Sequence, residues 1–195
     1  MIDLIFDTET TGLFDFKKDY KHPSQPHLVE LGMQLYQDRE LIASISILVR
    51  AKAEVSKEAL KVNQLTEKML DDFGMPPELA MSLFLFYMHR ADRLVAHNYE
   101  FDKMIVMTQL YRLGQEDAIS YLNQKPYFCT KEASTPIMKL PGKYGKYKWP
   151  TLDEAYRHFV DKNGFSGAHR AIVDVEACAK VLWAMKNFQK KGGHV

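Results

Sequence analysis

Apolar positions along the chain follow two periods. Before about residue 50 they run together or alternate; after residue 56 they recur three and four apart. Ile2-Asp3-Leu4-Ile5-Phe6 reads as a strand buried on both faces. A polar, Pro-containing loop from Phe14 to His27 precedes a second strand, Leu28 to Tyr36. The third, Glu40 to Arg50, sets Ile42, Ser44, Ser46 and Leu48 against Ala43, Ile45, Ile47 and Val49. The short link Gln37-Asp38-Arg39 predicts a hairpin, hence an antiparallel pair. Helix signals follow at Ser56, at Thr66 as a cap and at Pro76-Pro77, the last opening a helix to about Arg90. Leu94-Val95-Ala96 is a short apolar strand. A helix from about Glu100 to Leu113 ends at Gly114. Tyr127-Phe128-Cys129 is a fifth strand, with Thr130 as the expected cap of the helix behind it. Thr151 caps a helix to Phe159, and a last helix spans about Arg170 to Phe188.

A strand meander followed by alternating strands and helices predicts an α/β fold: a five-stranded mixed sheet with helices on both faces. Residues 1–188 form one domain in this reading, with 189–195 a frayed tail. Such sheets place ligands beyond the carboxyl ends of central strands. The first and fourth strands carry polar residues there, Asp7 and Glu9 on one, His97 and Asn98 on the other.

Composition changes this picture little. The 195 residues are 46% hydrophobic and 26% charged, an ordinary globular profile with enough chain for a sizeable core. No apolar run is long enough for a membrane span, and no leader pattern opens the chain, which predicts a cytoplasmic protein. Cys129 and Cys178 form no C-x-x-C pair and fit a reducing compartment. The net charge of +1 argues against a strongly charge-driven grip on polyanions, but an acidic metal site could offset a basic binding surface.

The chemistry centres on Asp7-Thr8-Glu9-Thr10-Thr11-Gly12. Alternation puts Asp7 and Glu9 on one side of their strand, where the two carboxylates repel unless a cation lies between them. Hard oxygen ligands suit a divalent ion. A lone D-x-E is as readily a solvated turn, and an EF-hand loop is excluded because Lys18 stands where its twelfth-position acid is required. Two further acids bear on the choice. Asp102 lies in the first turn of a helix, where it could equally serve the helix dipole. Asp174 shares an inward stripe with Ala177, Cys178 and Val181, where an unpartnered carboxylate is costly. His169, about 140° from Asp174 on a continuous helix, belongs to the loop before it. The segment from Lys139 to Pro150 is basic, aromatic and broken by Gly and Pro. It reads either as a solvated connector or as a loop whose lysines meet phosphates and whose aromatics stack on bases. It is not a Walker loop, since no Ser or Thr follows Gly145-Lys146.

Asp7-x-Glu9-Thr10-Thr11-Gly12, His97-Asn98-x-x-Phe101-Asp102 and His169-x-Ala171-x-x-Asp174 together resemble the three motifs of the DEDDh (DnaQ-like) 3′–5′ exonucleases, in family order. Val62 to Thr66 is similar to a further family segment. The resemblance implies a ribonuclease-H-like fold and a two-ion site for Mg²⁺ or Mn²⁺ held by Asp7, Glu9, Asp102 and Asp174, with His169 as general base. It implies a nucleic-acid partner, the 3′ end of DNA. Thr10, Thr11, Gly12 and Leu13 would hold the terminal nucleotide, with Asn98 and Phe101 on the substrate side. The basic segment is similar to that of stand-alone phage- or plasmid-type members. The long extension that tethers the replicative proofreading subunit is not seen after the last helix, so association with replication or repair proteins stays open. RNA ends are the alternative substrate, and an inactive fold used as a binding module is a rival of another class.

Overall fold

A computed structural model describes residues 1–51 and 53–190. Its sheet comprises β1 (Ile2–Thr10), β2 (Leu28–Gln37), β3 (Glu40–Leu48), β4 (Arg93–Ala96) and β5 (Tyr127–Cys129), in the order β3-β2-β1-β4-β5. β1 pairs antiparallel with β2 and parallel with β4; β2–β3 is the predicted hairpin and β4–β5 is parallel. β1 is therefore the central strand, with neighbours on both edges. The mixed, five-stranded expectation holds.

Helices α1 (Lys57–Asn63), α2 (Glu67–Phe73), α3 (Pro77–Arg90), α4 (Tyr99–Arg112), α5 (Glu116–Gln124), α6 (Thr130–Met138), α7 (Leu152–Phe159) and α8 (Ala171–Lys190) cover the sheet. Alternation along β1 decides what each face buries. Leu4 and Phe6 join the larger core with α3 and α4, where Phe6 meets Phe84 and Tyr99 edge-on at 5.2 and 6.1 Å. Ile5 points the other way and packs with Val95 against Val175, Cys178, Ala179 and Leu182 of α8. α7 braces the far side of α8 through Ala155 and Tyr156.

Several boundaries differ from expectation. β1 continues to Thr10, so Asp7 and Glu9 belong to the strand itself, fixed by the pairing of Asp7 with Gly32 and of Glu9 with Glu30. Thr130 is not a cap: it is the first residue of α6, and its hydroxyl turns back to the Ala96 carbonyl (3.3 Å). α5 carried no assignment in the sequence; it buries only Ile119 and Leu122. α8 runs through Lys190, and the remainder of the expected tail, 191–195, lies outside the described residues.

Candidate active site

Asp7 and Glu9 follow Ile5 on the face of β1 that α8 covers. Two residues of β2, directly opposite these acids, fix how closely α8 approaches. Gly32 lies beneath its first turn: a Cβ there would fall 2.6 Å from the Ala171 carbonyl oxygen and the Ile172 nitrogen. Only a hydrogen at that position lets helix and sheet meet. Glu30 is fully buried, and its carboxylate accepts hydrogen bonds from Arg170 Nη2 (2.8 Å), Arg170 Nε (3.1 and 3.2 Å) and the Ala171 N–H (3.2 Å). The start of α8 is thereby tied to β2 by charge and backbone together. His169 precedes this anchor in the left-handed region, φ 69°, and its N–H donates to Asp174 Oδ2 at 3.0 Å. Strand and helix so bring ligand atoms of Glu9, His169 and Asp174 within 4.8 Å of one another. Two carboxylates and an imidazole at that spacing form a group able to hold a divalent metal ion.

Asp102 reaches the same place from α4. It is buried, and its Oδ1 accepts from the Thr8 N–H (3.0 Å) and Thr8 Oγ1 (2.7 Å), which locks the helix start to β1. Burial pushes all four acids upward, and repulsion from neighbouring carboxylates adds to it at Asp7, Glu9 and Asp174. Asp7 is raised well above the usual carboxylate range by burial, then by Asp102, Asp174 and Glu9. Glu9 rises to about 8 through burial, then Asp174 and Glu30. Asp102 rises to about 7 because burial outweighs its two bonds from Thr8. Asp174 is raised, again chiefly by burial. Such a cluster is costly as free carboxylates and stabilised by cations of hard-ligand preference, so the donor set fits Mg²⁺ or Mn²⁺.

The five predicted catalytic residues, together with Leu13, Asn98 and Phe101, line one cavity of about 810 Å³. Thr10 and Gly12 line an adjoining pocket of about 270 Å³, which shares Glu9, Leu13 and Phe101 with the first. Thr11 is on the wall of neither. Its hydroxyl accepts from the His27 N–H (2.9 Å) and its carbonyl from the Ser56 N–H (2.9 Å), so it holds the turn in place. Asn63 donates to the Thr10 carbonyl (3.3 Å) and steadies that turn from α1.

His97 has a structural role. Its ring nitrogens meet Thr130 Oγ1 (2.9 Å) and the Pro150 carbonyl (3.1 Å), and burial lowers its pKa to about 4. It therefore stays neutral and ties the segment before α7 to the end of β4. Asn98 adopts φ 92°, an uncommon conformation for a non-glycine residue, and its side-chain carbonyl accepts from Lys131 Nζ. Sequence reasoning did not single out Glu30, Gly32, Arg170 or Lys131. A charge and a glycine inside the apolar run Leu28–Leu35 were the available signals for the first two.

A mixed sheet whose central strand delivers two carboxylates to an acidic cavity, completed by a helix on each side, defines a ribonuclease-H-like nuclease fold. The chain belongs to the exonuclease family described by the RNase_T model, which matches residues 4–182. It is 27% identical over 190 residues to DNA polymerase III subunit epsilon of Pasteurella multocida, covering 95% of this chain and 68% of that protein. It is 23% identical over 193 residues to DNA polymerase III PolC-type of Thermotoga petrophila, covering 98% of this chain but 13% of that protein. The chain thus spans only a small part of the PolC-type relatives. Among solved structures, E. coli exonuclease I in complex with a dA16 oligonucleotide superposes with a TM-score of 0.74 at 15% identity, over 97% of this chain and 42% of that one. Exonuclease X in complex with 5′ overhanging duplex DNA gives 0.61 at 20% identity, over 99% and 94%. These likenesses show the fold. No helix among the described residues is long and apolar enough to cross a membrane.

Proposed function

We propose that this chain is a metal-dependent 3′–5′ exonuclease that releases nucleoside 5′-monophosphates from single-stranded or frayed DNA ends. The observation that carries the reading is the convergence of Asp7, Glu9, Asp102, Asp174 and His169 on one cavity, from a strand and two helices far apart in sequence. Asp7, Glu9 and Asp174, with Asp102 completing the shell, would hold two divalent cations. When bound, these stabilise charge on the attacking and leaving oxygens of the phosphodiester. His169 is exposed and sits beside Glu9 and Asp174, suited to take the proton from the attacking water. The turn at Thr10–Gly12 would hold the terminal 3′ hydroxyl, with Leu13, 90% exposed at the rim, wedged beside the last base. DNA is favoured because the named relatives are DNA polymerase subunits and the aligned structures hold deoxyoligonucleotides. The matching family model bears the name of an RNase, so RNA 3′ ends are the second reading.

One experiment tests both. End-labelled single-stranded DNA, duplex DNA and RNA are digested in parallel with Mg²⁺ or Mn²⁺. The expected result is stepwise shortening from the 3′ end, loss of activity in EDTA, and DNA cut faster than RNA. Intact substrate, or cleavage of a circular single strand, overturns the exonuclease reading. His169→Ala should slow release by ~10²–10⁴-fold with metal binding retained; a parallel loss of Mn²⁺ affinity would make His169 a ligand.

A further inference from the structure

One end of the large cavity remains without a task. Lys131 and Trp149 line it, and neither reaches the adjoining pocket of the Thr10–Leu13 turn. Of the basic, aromatic segment 139–150, only Trp149 and Pro150 reach the cavity wall. Lys148 pairs instead with Glu154 (2.6 Å), and Tyr144 stands in solvent at 98% exposure. The cation at this end comes from a different element, Lys131 in the first turn of α6.

Lys131 Nζ lies 4.3 Å from the centroid of the Trp149 ring and donates to the side chain of Asn98. Its two closest partners are an aromatic face and a neutral amide, and its charge faces the cavity. The charge is felt inside the site, where it lowers the pKa of Asp102. Trp149 is fixed on the Lys131 side yet 62% exposed, which leaves indole surface for a second stacking partner. The backbone that follows the ring is anchored as well. The carbonyl of Pro150 meets neutral His97, and Thr151 opens α7 with a reciprocal capping box to Glu154. An exposed indole with a cation beside it is suited to one base and one phosphate of a single strand.

From this geometry we infer that Lys131 and Trp149 form a binding subsite for the nucleotide immediately 5′ of the bond to be cut, Lys131 meeting a phosphate and Trp149 stacking on the base. The assignment rests on the exonuclease reading above. With the 3′-terminal nucleotide in the pocket of Thr10 and Leu13, the next nucleotide would meet the Lys131 and Trp149 wall of the adjoining cavity. Asn98, whose side chain accepts from Lys131, immediately precedes α4 and so links this subsite to the helix that carries Asp102.

The test couples base and indole in a double-mutant cycle. An octathymidylate is compared with the same strand carrying an abasic residue next to its 3′ end. In the wild type the missing base should lower kcat/KM about tenfold, as expected of one base–aromatic stack. Trp149→Ala should lower it by a similar factor on the normal strand and show no further loss on the abasic one. Trp149→Phe should recover most of the coupling, which a loss of folding would not allow. Lys131→Met should reduce the slope of log KM against log salt concentration by about 0.7. Tyr144→Ala, outside the cavity, should match the wild type throughout. An abasic penalty equal in wild type and Trp149→Ala, or absent from the wild type, overturns the stacking assignment and leaves the exonuclease reading standing. An unchanged salt slope in Lys131→Met overturns the phosphate contact. A wild type that does not shorten the normal strand from its 3′ end overturns the reading beneath both.

Discussion

A single methyl group, placed where it touches neither metal ligand nor substrate, should disable the site. In Gly32→Ala the new Cβ would stand 2.6 Å from the Ala171 carbonyl oxygen and the Ile172 nitrogen, against about 3.4 Å for ordinary contact. All the nearest atoms are backbone of the first turn of α8, so no side chain can swing aside. The helix start must retreat by about 0.8 Å, or β2 must bend by as much. Overpacking of this kind costs about 1–3 kcal/mol, and each kcal/mol lowers Tm by about 2–4 °C in a chain of this size. His169 and Asp174 ride on the displaced turn, whereas Asp7, Glu9 and Asp102 do not. A displacement near 1 Å between halves of a catalytic site costs about 10²-fold in rate. Gly74→Ala is the control: its Cβ would fall 2.7 Å from the Arg50 nitrogen, also backbone, at a place outside both cavities. Single-turnover mononucleotide release and thermal melting, run on both variants below their melting range, separate the effects. Both should melt early, and only Gly32→Ala should lose about 10²-fold in rate. A Gly32→Ala protein that is destabilised but turns over like Gly74→Ala would refute the positioning role of this contact.

Other outcomes follow from the same geometry. Asp7→Asn should abolish hydrolysis yet raise the Tm of metal-free protein at alkaline pH, since a neutral amide replaces an acid whose ionised form is disfavoured by burial and by Asp102, Asp174 and Glu9; wild-type turnover or a lowered Tm would count against it. Glu9 and Asp102 have folded-state pKa values raised to about 8 and about 7, so the stability their protonation supports is complete at acidic pH and lost as pH rises through those values. Metal-free protein should therefore melt progressively earlier between pH ~5 and ~9, with Mn²⁺ restoring the loss at the alkaline end; a flat profile would show that burial does not hold these acids protonated. Glu30→Ala should cost about 2–3 kcal/mol by melting, less than the ~3–5 of a fully buried broken pair because Arg170, 45% exposed, can rehydrate. Its kcat should fall as well, and Glu30→Gln, which keeps an acceptor for the Ala171 N–H, should be milder on both counts.

The strands and the acids were legible because each left a local mark. Ile2–Phe6 is a continuous apolar run, and Asp174 interrupts an otherwise inward stripe of α8. His169 was placeable from spacing alone, five residues before an acid on a helix that it could not share. What local pattern could not supply is pairing. Glu30 reads as one charge in a strand until its partner, Arg170, is found 140 residues away. Gly32 reads as a weak strand residue until Ala171 is set upon it. Nothing in the local pattern marks Lys131, and of the basic segment 139–150 only Trp149 and Pro150 reach the cavity wall. α5 went unread because two buried side chains in nine residues make too faint a periodicity. Thr130 looked like a cap because a Thr before a helix usually is one, yet the carbonyl of Ala96 and the ring of His97 compete for its hydroxyl and win.

The dependence on α8 also bears on biosynthesis. Among the described elements this helix comes last in the order of synthesis, and it brings His169, Arg170 and Asp174 with it. A nascent chain extended through α7 already carries Asp7, Glu9 and Asp102, but the charge of Glu30 has no counter-ion and the hollow above Gly32 is empty. Contacts spanning 140 residues close late, after the loop entropy between them has been overcome. The acids of β1 and α4 would thus stay without their α8 partners, His169, Arg170 and Asp174, until that helix docks.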